Sequence, residues 1–169
     1  MVAIQESEEV VGDEDHGLGD EDHDLEDTVP SRTMARLLLI DDEEGDAVSL
    51  SRAVSSEYTV QRVSTFAEAA QHLAEQDYEA VVLDLRLRGS SAEWASTLGR
   101  LAAVTNAPII VWSGYDDVEH GPLNALVLQA GADETVSKDG ADLRGRMMRA
   151  LSRARARSAR DERSIPRQM

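Results

Sequence analysis

Three aspartates, a serine and a lysine stand where short apolar runs end. Asp41 and Asp42 follow Arg36-Leu-Leu-Leu-Ile40, Asp84 follows Ala80-Val-Val-Leu83, Ser113 closes Pro108-Ile-Ile-Val-Trp112, and Lys138 follows Glu134-Thr-Val-Ser137. Clustered carboxylates repel one another, and that repulsion raises their pKa values unless a cation shares the site. A hard, oxygen-seeking ion such as Mg²⁺ meets the need with one or two carboxylates and water, leaving room for a phosphate oxygen. Lys138 and Ser113 can neutralise and hydrogen-bond the remaining phosphoryl oxygens. No glycine-rich phosphate loop accompanies the set, so the expected phosphoryl site is a side chain, and Asp84 is the best nucleophile. Singly, each residue has a plainer use: an aspartate caps a helix, a serine makes a turn, a lysine solvates a surface. Their joint occurrence at successive strand ends favours the chemistry.

The elements that must position these residues are legible as patterns. The runs at 36–40, 80–84 and 108–113 are continuous and apolar, as in strands covered on both faces. Tyr58–Val63 alternates and is rich in β-branched residues, which predicts another strand. Glu134–Ser137 is a short fifth. Between them, Val48, Leu50, Ala53 and Val54 recur at helical spacing, and Thr65 with Glu68 forms a capping box for a helix through Leu73 and Ala74. Further helices are expected over about Ser91–Val104 and over Pro122–Ala130, the latter stopped by Gly131. Asp139 is expected to cap a last helix with the apolar stripe Leu143, Met147, Leu151 and Ala154. Five strands alternating with five helices predict an α/β fold, a doubly wound five-stranded parallel sheet whose strand ends open on one ligand crevice.

Charge divides the chain into three. Residues 1–32 carry a net −11, residues 33–143 a net −12, and residues 144–169 a net +7, within a total of −16 over 169 residues. The acidic arm, 1–34, repeats GDEDH at 12–16 and 19–23 and is too polar and charged to fold alone, so disorder is expected there. It fails as a calcium loop: Leu25 stands at the glycine position and Ser31 at the bidentate glutamate position. The net acidity argues against nucleic acid and anionic membranes as partners of the whole protein. The chain has no cysteine, which excludes disulfides, thiolate metal sites and thiol catalysis. It shows no secretory signal and no apolar run near the roughly 20 residues of a membrane span, so a cytoplasmic protein is expected.

LLLIDDEE, VVLDLRLRG, PIIVWSG and GADETVSK together resemble the receiver domain of two-component response regulators, over about Arg36–Ala150 and with all five key residue types in order. The resemblance implies a flavodoxin-like receiver domain at 35–150. It implies that Asp84 accepts a phosphoryl group from a phosphohistidine on a sensor histidine kinase or histidine phosphotransfer protein. Mg²⁺ would be held by Asp42, Asp84 and the backbone carbonyl of Arg86, with Asp41 acting mostly through metal-bound water. Ser113 and Lys138 would contact the phosphoryl group. The pattern departs at Thr135, where the family usually carries Tyr or Phe, at Asp139 and Arg88, where proline is common, and in a longer segment over Tyr115–Leu126. With Thr135 too small for an aromatic switch, Trp112 and Tyr115 become the rings expected to respond.

Nineteen residues follow Ala150, and 151–169 reads as an Arg-rich extension of the last helix and a tail. Arg149, Arg153 and Arg157, with Arg146 and Arg160 nearby, form either a basic stripe for a partner, an anionic surface or nucleic acid, or else a solvated helix extension or an intramolecular partner for the acidic arm. The reading favoured by the sequence is a stand-alone response regulator that signals through protein contacts or phosphorelay and catalyses only its own phosphotransfer and dephosphorylation; a homodimer is left open. The alternative is a phosphorylation-independent, receiver-like adaptor, prompted by Thr135 and Asp139. An Asp-nucleophile phosphatase is disfavoured because Asp84-Leu-Arg86 lacks a second acid two residues on.

Overall fold

A computed structural model of the chain describes residues 33–87, 93–115 and 117–164, with side chains described as far as residue 160. The acidic arm with its GDEDH repeats, Arg88, Ser91 and the last five residues lie outside the described set. Ten elements alternate without exception: β1 (Ala35–Ile40), α1 (Glu44–Val54), β2 (Tyr58–Val63), α2 (Phe66–Glu75), β3 (Ala80–Leu83), α3 (Trp94–Val104), β4 (Ile109–Ser113), α4 (Pro122–Gln129), β5 (Glu134–Ser137) and α5 (Leu143–Ser164). The strands form one parallel sheet in the order β2-β1-β3-β4-β5. This is the doubly wound α/β fold that the sequence predicts.

Strand alternation divides the core. Leu37, Leu39, Val82, Ile110, Trp112 and Val136 face Leu50 and Val54 of α1 and Met147, Ala150, Leu151 and Ala154 of α5. Leu38, Ile40, Val81, Leu83, Ile109 and Val111 face the other way, toward Leu98 and Leu101 of α3 and Val127 of α4. Side chains that point alternately to either side of a buried strand produce this division. Trp112 therefore belongs to the α1/α5 side and is almost fully buried.

Helix boundaries follow local chemistry. Thr65 and Glu68 form the capping box: the Glu68 N–H donates to Thr65 Oγ1 at 3.2 Å, and the Thr65 N–H donates to Glu68 Oε2 at 3.2 Å. Gly131 has φ +122°, a left-handed stop that a side chain tolerates poorly. Two expectations need correction. The cap of α5 is Asp142, not Asp139: Asp142 Oδ1 accepts the Gly145 N–H at 2.9 Å, and its own φ of 58° turns the chain into the helix. Asp139 instead donates its N–H to Ser137 Oγ at 3.1 Å, within the preceding loop. Val48 is exposed, because Leu50 and Val54 with Ala47 and Ala53 suffice to seat α1.

The capping box gives a stability prediction. Thr65→Ala is expected to lower the unfolding free energy by about 1 kcal/mol, seen as a lower urea midpoint at unchanged slope. An unmoved midpoint would show that α2 is held by packing alone.

Candidate functional site

Register brings the acidic residues together. Ile40 pairs with Leu83 across β1 and β3, so the next residues, Asp41 and Asp84, end adjacent strands at the point where the strand order reverses. Backbone hydrogen bonds fix both: the Asp41 N–H donates to the Val63 carbonyl and the Asp84 N–H to the Ile40 carbonyl, each at 3.0 Å. Asp41 is fully buried and Asp84 is 3% exposed. One oxygen of each carboxylate is turned back on its own loop. Asp41 Oδ1 accepts the Glu43 N–H at 2.8 Å, and Asp84 Oδ1 accepts the Arg86 N–H at 3.0 Å. These contacts are the plain capping use of an aspartate, and they also aim the second oxygen inward.

That second oxygen meets Lys138, which β5 delivers. Ser113 pairs with Ser137 across β4 and β5, and the Lys138 N–H donates to the Ser113 carbonyl at 2.8 Å. The Lys138 Nζ lies 2.8 Å from Asp41 Oδ2 and 3.0 Å from Asp84 Oδ2, and it also pairs with Asp46 Oδ2 on the first turn of α1. Burial alone would push the Lys138 ammonium down, but its hydrogen bonds to Asp41 and Asp46 and the charge of Asp84 hold it above its ordinary value. Burial pushes the Asp41 carboxyl up, against the hydrogen bonds from Lys138 and from the Glu43 N–H. The Nζ also sits 5.0 Å from the centre of the Trp112 ring.

Asp41, Asp42 and Asp84 each present a carboxylate oxygen within 4.8 Å of the others. Three hard, anionic oxygens so close suit a small divalent cation, and no nitrogen or sulfur donor enters the set. One strand over, Ser113 is fully buried and its Oγ has no hydrogen-bond partner among the described residues. Such an orphan is uncommon in a folded protein. All five side chains singled out in the sequence thus lie at the carboxyl ends of β1, β3, β4 and β5. The Arg86 side chain adds a contact of its own: its guanidinium bridges to the Gly114 carbonyl at 3.1 Å and covers the Tyr115 ring at 4.5 Å.

The residue missed in the sequence is Asp46. It reads there as an ordinary first-turn acid, and only the fold brings it to Lys138. Of the two rings expected to respond, Trp112 lies on the α1/α5 side, with its ring centre 5.0 Å from Lys138 Nζ. Thr135 is itself tied down, its Oγ1 accepting from Asn124 Nδ2 at 2.7 Å. The arginines of α5 are largely satisfied by the domain's own acids: Arg153 and Arg157 by the buried Glu134, Arg146 by Glu119, Arg149 by Asp142 and Arg155 by Glu79. These partners are acids of the folded domain that the sequence alone does not single out; the acidic arm, expected as an intramolecular partner, lies outside the described residues. A cavity of about 860 Å³ opens at the amino ends of β3 and β4, lined by Tyr78, Pro108 and Arg155 among others, remote from the acidic cluster.

No protein-family model and no curated protein sequence matches the chain. Solved structures do. The signal receiver domain of an HD domain-containing protein from Pseudomonas fluorescens Pf-5 is 21% identical, with a TM-score of 0.63 over 78% of this chain and 94% of that one. A response regulator protein from Burkholderia pseudomallei, solved with a phosphorylated aspartic acid, a calcium ion and citrate, is 24% identical, with a TM-score of 0.59 over 78% of this chain and 75% of that one. A response regulator receiver domain protein from Methanospirillum hungatei JF-1 is 21% identical, with a TM-score of 0.59 over 74% and 99%. The fold is that of response regulator receiver domains. No helix among the described residues is long and apolar enough to cross a membrane.

The ion pairs of Lys138 are open to a direct test. Lys138→Met leaves two buried carboxylates without their cation, and in EDTA it is expected to lose about 3–5 kcal/mol of stability. Excess Mg²⁺ should recover part of that loss in thermal melts. Equal losses with and without the ion would contradict a shared cation site.

Proposed function

We propose that this chain is a phospho-accepting receiver module, in which Asp84 takes a phosphoryl group from a phosphohistidine on a sensor histidine kinase or histidine phosphotransfer protein. The modified domain then signals through protein contacts or passes the phosphoryl group on. The observation that carries this reading is the Ser113 hydroxyl, buried and without a hydrogen-bond partner among the described residues, at the end of the strand beside Asp84. A phosphoryl oxygen on Asp84 would supply the missing partner. Asp41, Asp42 and Asp84 are the residues that would hold Mg²⁺, with the Arg86 carbonyl as a further oxygen ligand. Bound there, the ion would neutralise charge developing on the phosphoryl oxygens.

The chain's own groups account for the rest. The Arg86 N–H and the Lys138 ammonium hold the Asp84 carboxylate in one orientation, so little is lost in orienting it for in-line attack. An Asp84 oxygen forms the bond to phosphorus as the phosphorus–nitrogen bond of phosphohistidine breaks, and the leaving imidazole nitrogen takes up a proton. Lys138 and Ser113 then stabilise the new acyl phosphate by charge and by hydrogen bonding. Return of the switch is hydrolysis of that acyl phosphate by water. The module is a signalling acceptor, acting catalytically only on its own phosphorylation state. This chemistry suits a cytoplasmic setting.

Acetyl phosphate with Mg²⁺ should add one phosphoryl group to the intact mass, an adduct that EDTA prevents and Asp84→Asn abolishes. Ser113→Ala should slow its appearance by tenfold or more, on the order of the loss of one charge-stabilising donor. No adduct on the wild-type chain would overturn the reading and favour the phosphorylation-independent adaptor.

A further inference from the structure

We propose that Asp46 is a positioning residue for Lys138: it holds the ammonium at the pocket edge while a divalent cation takes over the carboxylates of Asp41 and Asp84. The inference rests on the phospho-acceptor reading above and goes beyond it, since Asp46 lies outside the acidic cluster of Asp41, Asp42 and Asp84.

An ammonium has three protons to donate; in this structure Asp41 and Asp46 accept hydrogen bonds from it, and Asp84 Oδ2 lies 3.0 Å away as an ion-pair partner. Two of those carboxylates, Asp41 and Asp84, also belong to the cluster suited to a divalent ion. A metal and Lys138 therefore contend for the same oxygens. The Lys138 side chain is only 16% exposed, so an ammonium stripped of both partners has little water to turn to. Asp46 changes that outcome. Its side chain is 30% exposed and stands on the first turn of α1, and its pairing with Lys138 takes nothing from the metal cluster.

The effect of Asp46 is therefore unequal between the two states. Without metal it is one of three partners, and its loss leaves two. With metal bound it is the partner that remains, and its loss leaves a mostly buried cation with none. Removing Asp46 should weaken metal binding through Lys138, not merely through loss of a nearby charge. Glu44 separates the two causes: it is an acid in the same first turn of α1, exposed, and it contributes the same formal charge.

The Trp112 indole reports on the ammonium, because Lys138 Nζ sits 5.0 Å from its ring centre. With Trp94→Phe as background, Mg²⁺ is titrated while Trp112 emission is followed, and circular dichroism confirms folding of each variant. Asp46→Asn should raise the midpoint at least about fivefold, the factor set by one unscreened contact charge. Glu44→Gln should stay within about twofold, the scale of a screened surface charge. In a Lys138→Met background, Asp46→Asn should lose its effect. An Asp46→Asn midpoint within twofold of the parent, or an equal shift for Glu44→Gln, would overturn the proposal while leaving the phosphoryl-acceptor reading intact. If Lys138→Met does not fold, the two single variants still decide. No Mg²⁺ binding by the parent would remove the acceptor reading, and this inference with it.

Discussion

The Lys138 ammonium, set among Asp41, Asp46 and Asp84, is the contact on which the upper edge of the sheet depends. Two of those carboxylates are almost without solvent, and a buried carboxylate is costly unless something positive stays close. Asp41 comes from β1, Asp84 from β3, Asp46 from α1 and Lys138 from β5, so one cation ties four separate elements together. The same arrangement leaves the site short of positive charge. Lys138 pairs with Asp41 and Asp84 of a cluster of three carboxylates, and a divalent metal would fill the remaining deficit.

Parallel pairing is what makes such a cluster achievable. Every strand runs the same way, and the order β2-β1-β3-β4-β5 places β1 and β3 side by side at the reversal of winding. A strand slipped by one residue would turn Asp84 out of the crevice and an apolar neighbour into it. The apolar stretches Leu37–Ile40 and Ala80–Leu83, buried on both faces, oppose that slip. Core packing thus fixes the register, and the register fixes the chemistry. On the far side of the domain, buried Glu134 draws Arg153 and Arg157 of α5 onto β5, so the basic helix acts there as a brace.

The strands and the five principal side chains were legible because their signals are local. An apolar run followed by Asp, Ser or Lys needs no knowledge of distant residues. Asp46 was not legible, because a first-turn acid is the ordinary choice at a helix start and its pairing with Lys138 spans 92 positions in sequence. The cap of α5 was misjudged between two aspartates three residues apart. Gly140, with φ +103°, extends the loop past Asp139 before the chain turns into the helix. The side taken by Trp112 was not legible for a related reason: a continuous apolar strand conceals which of its faces meets which helix. The partners of the α5 arginines escaped likewise, since Glu134 and Glu119 lie on elements that only the fold brings near.

The central claim is that this pocket holds a phosphoryl group on Asp84 with a metal, Ser113 and Lys138 around it. A crystal structure grown with Mg²⁺ and trifluoroberyllate, a stable mimic of an aspartyl phosphate, tests it most directly. The account predicts beryllium bonded to an Asp84 carboxylate oxygen, metal on Asp42, Asp84 and the Arg86 carbonyl with Asp41 engaged through a metal-bound water, and fluorines within hydrogen-bond distance of Ser113 Oγ and Lys138 Nζ. An unmodified Asp84 under saturating mimic and metal, with Lys138 still bridging Asp41 and Asp84, would contradict it.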